Sequence, residues 1–400
     1  MGKSGGPCLN RVVQRYTLYK PAPGKRKAKS PFVFVLLTSV AGALVWALLY
    51  SKQNERSSPR EPSPSPASPR SERPARTAAP KTSLSSGDTP GPTAQTAHGS
   101  SSPAPPQVPV DTNHFPRPAL NGFEVQLALA RQGISPGSLD GVPGARTRLA
   151  LVAFQQREHL PVTGTLDAST RSHLLLDAQP FTNYTVTADD LGRLRPLGKT
   201  WLERSQQGRL DYETILELIA EKAQSHPRFI RQLNPSVDRT TVTAGTSLTL
   251  PNVERSPVRE KAALARIHLE ERTLQVFGQN TNLLAHFPCS IAAFAEKRPV
   301  GELHVAAVAL NPNYTFDPDN FPESAEAREL NRKLILPPGP NNPVGTVWIG
   351  LDKPGYGIHG TPRPEQVGRA ESHGCFRLAN WNAEYFSQMV WVGMPVFVEP

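Results

Sequence analysis

A histidine and a cysteine near the end of the chain have the residue types and the spacing that acyl transfer requires. His359 is followed by Gly360, and Cys375, sixteen residues after His359, is preceded by Gly374. Because a cysteine is only about a few per cent thiolate at neutral pH, it needs a neighbouring imidazole to become a competent nucleophile. A glycine before it permits a tight turn, whose N–H groups can stabilise a tetrahedral oxyanion. The pattern predicts a cysteine acyl-transfer site.

Short apolar segments separated by turn residues surround this pair and predict β-strands. They lie at 266–269, 274–277, 283–291, 304–308, 346–349 and 396–399. A single helix is predicted at 381–390. Together these elements favour an all-β, sandwich-like domain with one flanking helix over residues 258–400. Residues 311–342 are rich in Pro and Asn and long for a connection, which predicts a lid over the thiol, with a disordered segment as the alternative.

The segments around the histidine and the cysteine resemble the catalytic signature of the L,D-transpeptidase (YkuD-type) family. The similarity is carried by Ile358-His359-Gly360-Thr361, Ser372-His373-Gly374-Cys375-Phe376-Arg377-Leu378, Asn342-Pro343-Val344-Gly345, Trp348-Ile349, Tyr356-Gly357 and Trp391-Val392-Gly393-Met394-Pro395. It implies Cys375 as the nucleophile, His359 as its general base and the Gly360 carbonyl as the group that orients the imidazole. The backbone N–H groups of Gly374 and Cys375 are the implied oxyanion donors.

The same resemblance implies a group of substrate-binding residues, namely Arg377, His373, Ser372 and Tyr356. The planar guanidinium of Arg377 suits a carboxylate of a peptidoglycan stem peptide, and a structural salt bridge is the alternative. His373 is so close to Cys375 that shaping the turn is more typical for it than transferring protons. The hydroxyl of Ser372 is expected to be structural.

The implied activity is that of a bacterial cell-wall L,D-transpeptidase, which forms cross-links through a cysteine thioester. Alternatives on the same fold are an L,D-carboxypeptidase and a transferase that joins a protein to peptidoglycan. A non-catalytic peptidoglycan-binding scaffold is an alternative of another class, and the intact His359 and Cys375 argue against it. No metal or organic cofactor is expected, since no Cys/His spacing resembles a zinc site. The expected partners are peptidoglycan stem peptides and glycan.

Upstream, residues 119–178 are predicted to form three short helices around a small core, with Asp167 capping the third. The segment resembles the peptidoglycan-binding type 1 domain. The positions that carry this similarity are Leu127, Leu129, Gly133, Asp140-Gly141, Thr147, Phe154-Gln155, Leu160, Gly164 and Thr170. Most of them are core and turn positions, so the resemblance implies the fold more firmly than the ligand, and a folded spacer is the alternative.

Residues 181–254 resemble a LysM module. An opening strand at 184–187, an amphipathic helix at 215–220 that ends before His226-Pro227, a central Asn234-Pro235 and a closing strand that ends at Pro251 follow the pattern of that family. An insertion at about 192–211 departs from it. Since sugar recognition in such modules depends on the loops that flank the helices, the insertion places glycan binding in question.

The first 118 residues predict a membrane anchor and a tether. Residues 1–31 are basic, and residues 32–50 form an uncharged run long enough to span a bilayer. The positive flank predicts a cytoplasmic N-terminus and an outward C-terminus, with a cleaved signal peptide as the alternative. Residues 51–118 hold 15 prolines and predict a disordered linker. The expected location is the bacterial inner membrane, with the catalytic domain in the periplasm or envelope.

Charge and cysteine content exclude two other classes of protein. The chain of 400 residues has a formal charge of +10, but residues 1–81 hold 15 Lys and Arg against 3 Asp and Glu, whereas residues 256–400 hold 13 against 15. A folded nucleic-acid-binding face would need its basic residues clustered, so none is expected. Three cysteines exclude a disulfide-rich scaffold. Nothing in the sequence indicates an oligomeric state.

Overall fold

A computed structural model describes residues 114–400 of the chain, except residues 239, 322, 370, 371 and 373. The predicted basic segment, membrane span and most of the predicted linker lie outside the described residues. Within the described part, no helix is both long and apolar enough to cross a bilayer.

The C-terminal part of the chain, residues 258–400, is built on one eight-stranded sheet, and we call it the sheet domain. The strand order is β13-β12-β11-β8-β14-β5-β6-β7. The strands are β5 (Leu264–His268), β6 (Thr273–Phe277), β7 (Leu283–Pro288), β8 (Gly301–Leu310), β11 (Val347–Leu351), β12 (Gly357–His359), β13 (Phe376–Arg377) and β14 (Pro395–Glu399). A separate two-stranded sheet joins β9 (Tyr314–Phe316) to β10 (Leu334–Leu336) antiparallel.

The large sheet curls back on itself. Beyond the end of β7, Ser290 and Arg377 of β13 exchange two backbone hydrogen bonds of 2.9 Å, so the two outer strands meet. Alternating side chains of these strands, including Ile267, Phe287 and Ile349, point into one apolar core. The predicted class, an all-β sandwich-like domain with a flanking helix, is confirmed in its mostly-β architecture, and its two faces come from one curled sheet.

Two α-helices lie in the described residues of the sheet domain. Helix α9 (Asn380–Ser387) packs Phe386 into the core at the predicted place. Helix α8 (Ala325–Leu330) was missed by the sequence analysis, which predicted a single helix. It is only six residues long, too short for helical periodicity to be read, and its clearest signal is Ser324, whose side chain caps it by accepting from Ala327 N.

Residues 114–178 contain the helical module. Its elements are β1 (Arg117–Pro118), α1 (Gly122–Arg131), α2 (Ala145–Arg157), α3 (Ala168–His173) and β2 (Leu175–Leu176). Asp167 caps α3 by accepting from Thr170 N at 2.8 Å, as the sequence predicts. Ordered structure begins before residue 119, because Arg117, assigned to the linker from sequence, pairs with Leu176 and forms a buried ion pair with Glu124 at 2.7 Å.

Residues 181–254 form what we call the middle module. Its elements are β3 (Phe181–Thr185), α4 (Ala188–Gly192), α5 (Trp201–Gln206), α6 (Ile215–Lys222), α7 (Pro227–Leu233) and β4 (Ser247–Pro251), and β3 pairs antiparallel with β4. Helix α6 ends at Lys222, before Pro227. Pro227 itself begins α7, because proline is tolerated in the first turn, where its missing N–H has no acceptor to satisfy.

Candidate active site

Two adjacent strands bring the histidine and the cysteine together. Strands β12 and β13 are parallel, and His359 pairs with Arg377 in their register. Cys375 directly precedes β13, and the register places it level with Gly357 at the start of β12. The parallel pairing therefore places the thiol, the imidazole and the guanidinium at one edge of the sheet.

The imidazole of His359 is held on both sides. Its Nδ1 lies 2.6 Å from the carbonyl oxygen of Gly360, and since a carbonyl can only accept, Nδ1 carries the hydrogen. Nε2 is therefore the ring atom that can accept a proton. Trp348, directly opposite on β11, stacks on the ring with centroids 5.6 Å apart and an interplanar angle of 23°. The stacking and the hydrogen bond together fix the plane and the tautomer.

Burial keeps both reacting groups neutral around pH 7. It lowers the pKa of the His359 imidazole to about 4, and the nearby Arg377 charge acts in the same direction. Burial also raises the pKa of the Cys375 thiol above its ordinary value. A thiol and a neutral imidazole suit general-base activation, in which the proton leaves sulfur as the new bond forms.

Backbone groups at the start of β12 and just before it also lie next to the sulfur of Cys375. Its thiol donates to the carbonyl of Gly355 at 3.5 Å, and the N–H of Gly357 lowers the pKa of the thiol by favouring the thiolate. Gly357 is sterically required at this position, because a β-carbon there would lie 2.6 Å from the Trp348 ring. Trp348 and the two glycines were not predicted as site residues from sequence, although the repeated glycines around Tyr356 are a visible signal.

The turn before Cys375 is closed by Ser372. Its hydroxyl donates to the carbonyl of Cys375 at 2.5 Å and accepts from the N–H of Gly374 at 3.2 Å. Ser372 is buried, and its oxygen is used inside the turn. The Gly374 N–H would have to leave this acceptor before it could bind an oxyanion. His373 lies outside the described residues, so its predicted role stays a prediction.

Arg377 and Tyr356 are the other two residues predicted to bind substrate. Arg377 is half-buried, and its charge acts on both His359 and Cys375. Tyr356 directly follows Gly355, packs against the main core and carries Lys353 over its ring at 5.0 Å. The predicted contact of both residues with substrate stays a prediction. Among the described residues, no three His, Cys, Asp or Glu side chains are grouped so that they could hold a metal ion.

The segment predicted as a lid, residues 311–342, is an ordered layer containing β9, α8 and β10 wherever it is described, and we call it the lid layer. Tyr314 on β9 lies close enough to Cys375 for a thiolate there to raise the tyrosine pKa, which burial and that charge bring to about 12. The layer shares an apolar core with the insertion of the middle module, and Phe316 and Leu336 are fully buried in it. Through Tyr314, the layer borders the site.

This layer is braced by the insertion of the middle module. Trp201, the first residue of α5, stacks on Phe316 with centroids 4.5 Å apart, and it also contacts Tyr314 and Phe321. Downstream of α5, Leu210 donates its N–H to the carbonyl of Pro338 at 3.0 Å. The insertion that departs from the LysM pattern is thus folded against the lid layer.

From sequence, the upstream modules are predicted to position the enzyme on its polymer and to have no part in the reaction at Cys375. Deleting residues 119–254 would then leave acylation by a small inhibitor such as a carbapenem unchanged. The stacking of Trp201 on the lid layer removes the basis for that expectation, because the deletion would also remove part of the support of this layer, which borders the site.

We expect Trp201→Ala to loosen the lid layer. Losing a half-buried aromatic should cost the layer about 2 kcal/mol, less than the roughly 3–5 kcal/mol of a fully buried one. Limited proteolysis should then cut residues 311–342 faster, and mass spectrometry should show slower acylation of Cys375 by a carbapenem. Gln206→Ala, an exposed change on the same helix, is the control. Equal protease resistance and equal acylation in the two variants would show that Trp201 is no brace.

Comparison with known families gives two matches. Residues 263–398 match the family described as "L,D-transpeptidase catalytic domain", and residues 123–174 match the one described as "Putative peptidoglycan binding domain". The first match contains β12, β13 and every residue of the site just described on them. The second match covers the helices of the helical module.

Individual relatives and solved structures are similar over parts of the chain. A protein named "Putative L,D-transpeptidase YkuD" from Bacillus licheniformis is 28% identical over 185 residues, which are 46% of this chain and 93% of the relative. "Putative L,D-transpeptidase YqjB" from Bacillus subtilis is 36% identical over 105 residues, which are 25% of this chain and 51% of the relative. A crystal structure of the L,D-transpeptidase from Xylanimonas cellulosilytica is 13% identical, with a TM-score of 0.30, and covers 74% of this chain and 100% of that one.

The curled sheet and the Cys375–His359 site define an acyltransferase with a cysteine nucleophile. Residues 263–398 form an L,D-transpeptidase catalytic domain of the YkuD type, and a peptidoglycan-binding domain lies upstream of it at residues 123–174.

Proposed function

We propose that the chain cross-links peptidoglycan stem peptides through a thioester on Cys375. The proposal is carried by the Nδ1–H tautomer of His359, which its hydrogen bond to Gly360 fixes on the strand beside Cys375. This tautomer leaves Nε2 as the acceptor for the thiol proton. The neutral pair suits attack on an uncharged amide carbonyl, the group that a stem peptide offers.

The reaction has two balanced halves. In the first, the sulfur of Cys375 bonds to the carbonyl carbon after the third stem residue, a diamino acid, while the bond to the terminal D-alanine breaks. His359 takes the thiol proton and returns it to the leaving amine. In the second, the side-chain amine of another stem bonds to the same carbon, the sulfur leaves and His359 carries the proton back. No other reactant is needed.

The remaining parts of the chain are proposed to hold the enzyme at its polymer. The helical module would bind peptidoglycan, and the middle module is proposed to be LysM-like. Residues 32–50 would anchor the chain in the inner membrane, with the domains described above in the periplasm or envelope. Attachment to the polymer raises the local substrate concentration, by roughly a hundredfold or more, without a new contact at the thiol.

The test is mass spectrometry of purified disaccharide-tetrapeptides incubated with the full-length protein in detergent. We expect release of D-alanine together with cross-linked dimers, and a thioester-linked intermediate on the peptide that contains Cys375. A Cys289→Ala protein serves as the control, because Cys289 is fully buried in the core and burial raises the pKa of its thiol.

The products separate the alternatives. Trimmed tripeptides without dimers would show that water resolves the thioester, and the chain would then be a carboxypeptidase. Unchanged tetrapeptides with no covalent intermediate would contradict the proposal as a whole.

A further inference from the structure

Helix α6 of the middle module presents two glutamates to the sheet domain. Glu217 and Glu221 are one helical turn apart, so both face the same side. Glu217 accepts a hydrogen bond from the side chain of Asn341 at 2.6 Å. Both carboxyl oxygens of Glu221 accept from Nδ2 of Asn380, at 3.1 and 3.3 Å. The helix is therefore hydrogen-bonded to the loop and to the helix that lie behind the active site.

Asn380 is fully buried at the start of α9, and both the nitrogen and the oxygen of its side-chain amide form hydrogen bonds. Its Nδ2 also donates to the carbonyl of Pro340 at 3.2 Å, and its Oδ1 accepts from the N–H of Thr346 at 3.3 Å. The same oxygen lies against Gly345 and Gly360, where a β-carbon on either glycine would overlap it. Asn380 thus fills the space that decides where the Gly360 peptide can lie.

The Gly360 peptide is the group that orients the imidazole. Its carbonyl accepts from Nδ1 of His359 at 2.6 Å, and its N–H donates to the carbonyl of Val347 at 3.1 Å. A shift of this peptide would lengthen the bond that fixes the tautomer. An unbroken series of contacts therefore connects Glu221 to His359. It runs from Glu221 to Asn380, from Asn380 to Gly360 and from Gly360 to His359.

We propose that Glu221 is a positioning residue for His359, acting through Asn380 and the Gly360 peptide. The middle module would then supply part of the support of the catalytic base. The inference rests on the proposed function in one respect only, that His359 is the base for Cys375.

The chemistry of the contact suggests a pair of variants. Burial raises the pKa of the Glu221 carboxyl to about 8, with the neighbouring Glu384 and Glu217 acting in the same direction and the hydrogen bonds from Asn380 and Tyr212 against it. The carboxyl therefore carries a proton around pH 7. Glutamine has nearly the shape of a protonated glutamate and keeps an oxygen acceptor, whereas alanine removes the acceptor.

The first readout is the acylation of Cys375 by a carbapenem, followed by stopped flow and mass spectrometry on the full-length protein in detergent. We expect Glu221→Ala to lower the acylation rate constant by about tenfold or more, a part of the roughly 10²–10⁴-fold that a general base supplies. The non-covalent binding constant should stay unchanged, and Glu221→Gln should stay within about threefold of the wild type. Glu271→Ala, at the exposed turn between β5 and β6, is the matched control.

The second readout is the Nδ1–H proton of His359 in an NMR spectrum of the histidine-labelled protein, which does not depend on turnover. We expect a strongly downfield signal in the wild type and in Glu221→Gln, because of the 2.6 Å bond to Gly360. In Glu221→Ala this signal should move upfield or disappear into exchange with water.

An unchanged His359 signal in Glu221→Ala would overturn the inference, and so would acylation at the wild-type rate. If Glu221→Ala fails to fold, the glutamine variant decides: a normal signal and normal acylation support the proposal, and the loss of either overturns it. A wild-type protein that shows the signal but is never acylated would count against the proposed function and leave the positioning of His359 supported.

Discussion

Replacing Cys375 with alanine is expected to abolish thioester formation and, with it, cross-linking. The rate of cross-linking should fall by a factor on the order of 10⁴ or more. The reason is chemical: among the described residues around His359, Cys375 brings the only thiol, and its sulfur lies 3.5 Å from the Gly355 carbonyl at the edge of the site. The measurement is mass spectrometry of the intact protein after exposure to a carbapenem, together with the yield of muropeptide dimers.

The stability of the variant should change little, because Cys375 is half-buried and its side chain is small. Circular dichroism melts of Cys375→Ala and wild type should therefore nearly coincide. Cys289→Ala is the matched control, and it should remain fully reactive. Turnover retained in Cys375→Ala would remove this residue as the nucleophile and the assignment with it.

Replacing His359 with alanine is expected to slow acylation by roughly 10²–10⁴-fold, the contribution of a well-placed general base. Trp348 and Gly360 hold the ring so that Nε2 is the proton acceptor, and alanine offers no group in its place. The exposed change His173→Ala is the control and should leave the rate constant unchanged.

The pH profile gives this prediction a second test. Because burial lowers the pKa of His359 to about 4, the wild-type rate constant should be nearly level around neutral pH and fall as the pH falls through about 4, where the imidazole becomes protonated. In His359→Ala only the thiolate can react. Since burial raises the pKa of Cys375, the rate constant of that variant should rise about tenfold per pH unit into the alkaline range.

A different result would reassign the base. If His359→Ala kept the wild-type rate and profile, and His373→Ala lost both, His373 would be the residue that activates the thiol.

Much of the fold followed from local patterns. The alternation of apolar residues predicts β5 and β6 to within two residues at each end, because each strand places one face in the core. Strands β12 and β13 were not predicted, since they are three and two residues long and too short for alternation to be read. The single curled sheet could not be distinguished from two packed sheets, because the same inward and outward pattern describes both.

The site residues also divide into those predicted from sequence and those recognised only in the structure. Cys375 and His359 were predicted from sequence because their residue types and spacing suit acyl transfer, and Gly360 was predicted because it stands in the motif that resembles the family signature. Trp348 was noted only as part of a similar segment, since its stacking on His359 depends on the register of β11 with β12.

By itself, the sequence predicts which residues do the chemistry. The cysteine, its preceding glycine and a histidine sixteen residues upstream indicate a nucleophile, a turn and a base without reference to any distant contact. Only the tertiary structure decided what holds them in place. Glu221 lies 159 residues before Asn380, and Trp201 is far along the chain from the lid layer that it braces. Such contacts arise when separately patterned surfaces pack against each other, and no local periodicity records which surfaces will meet.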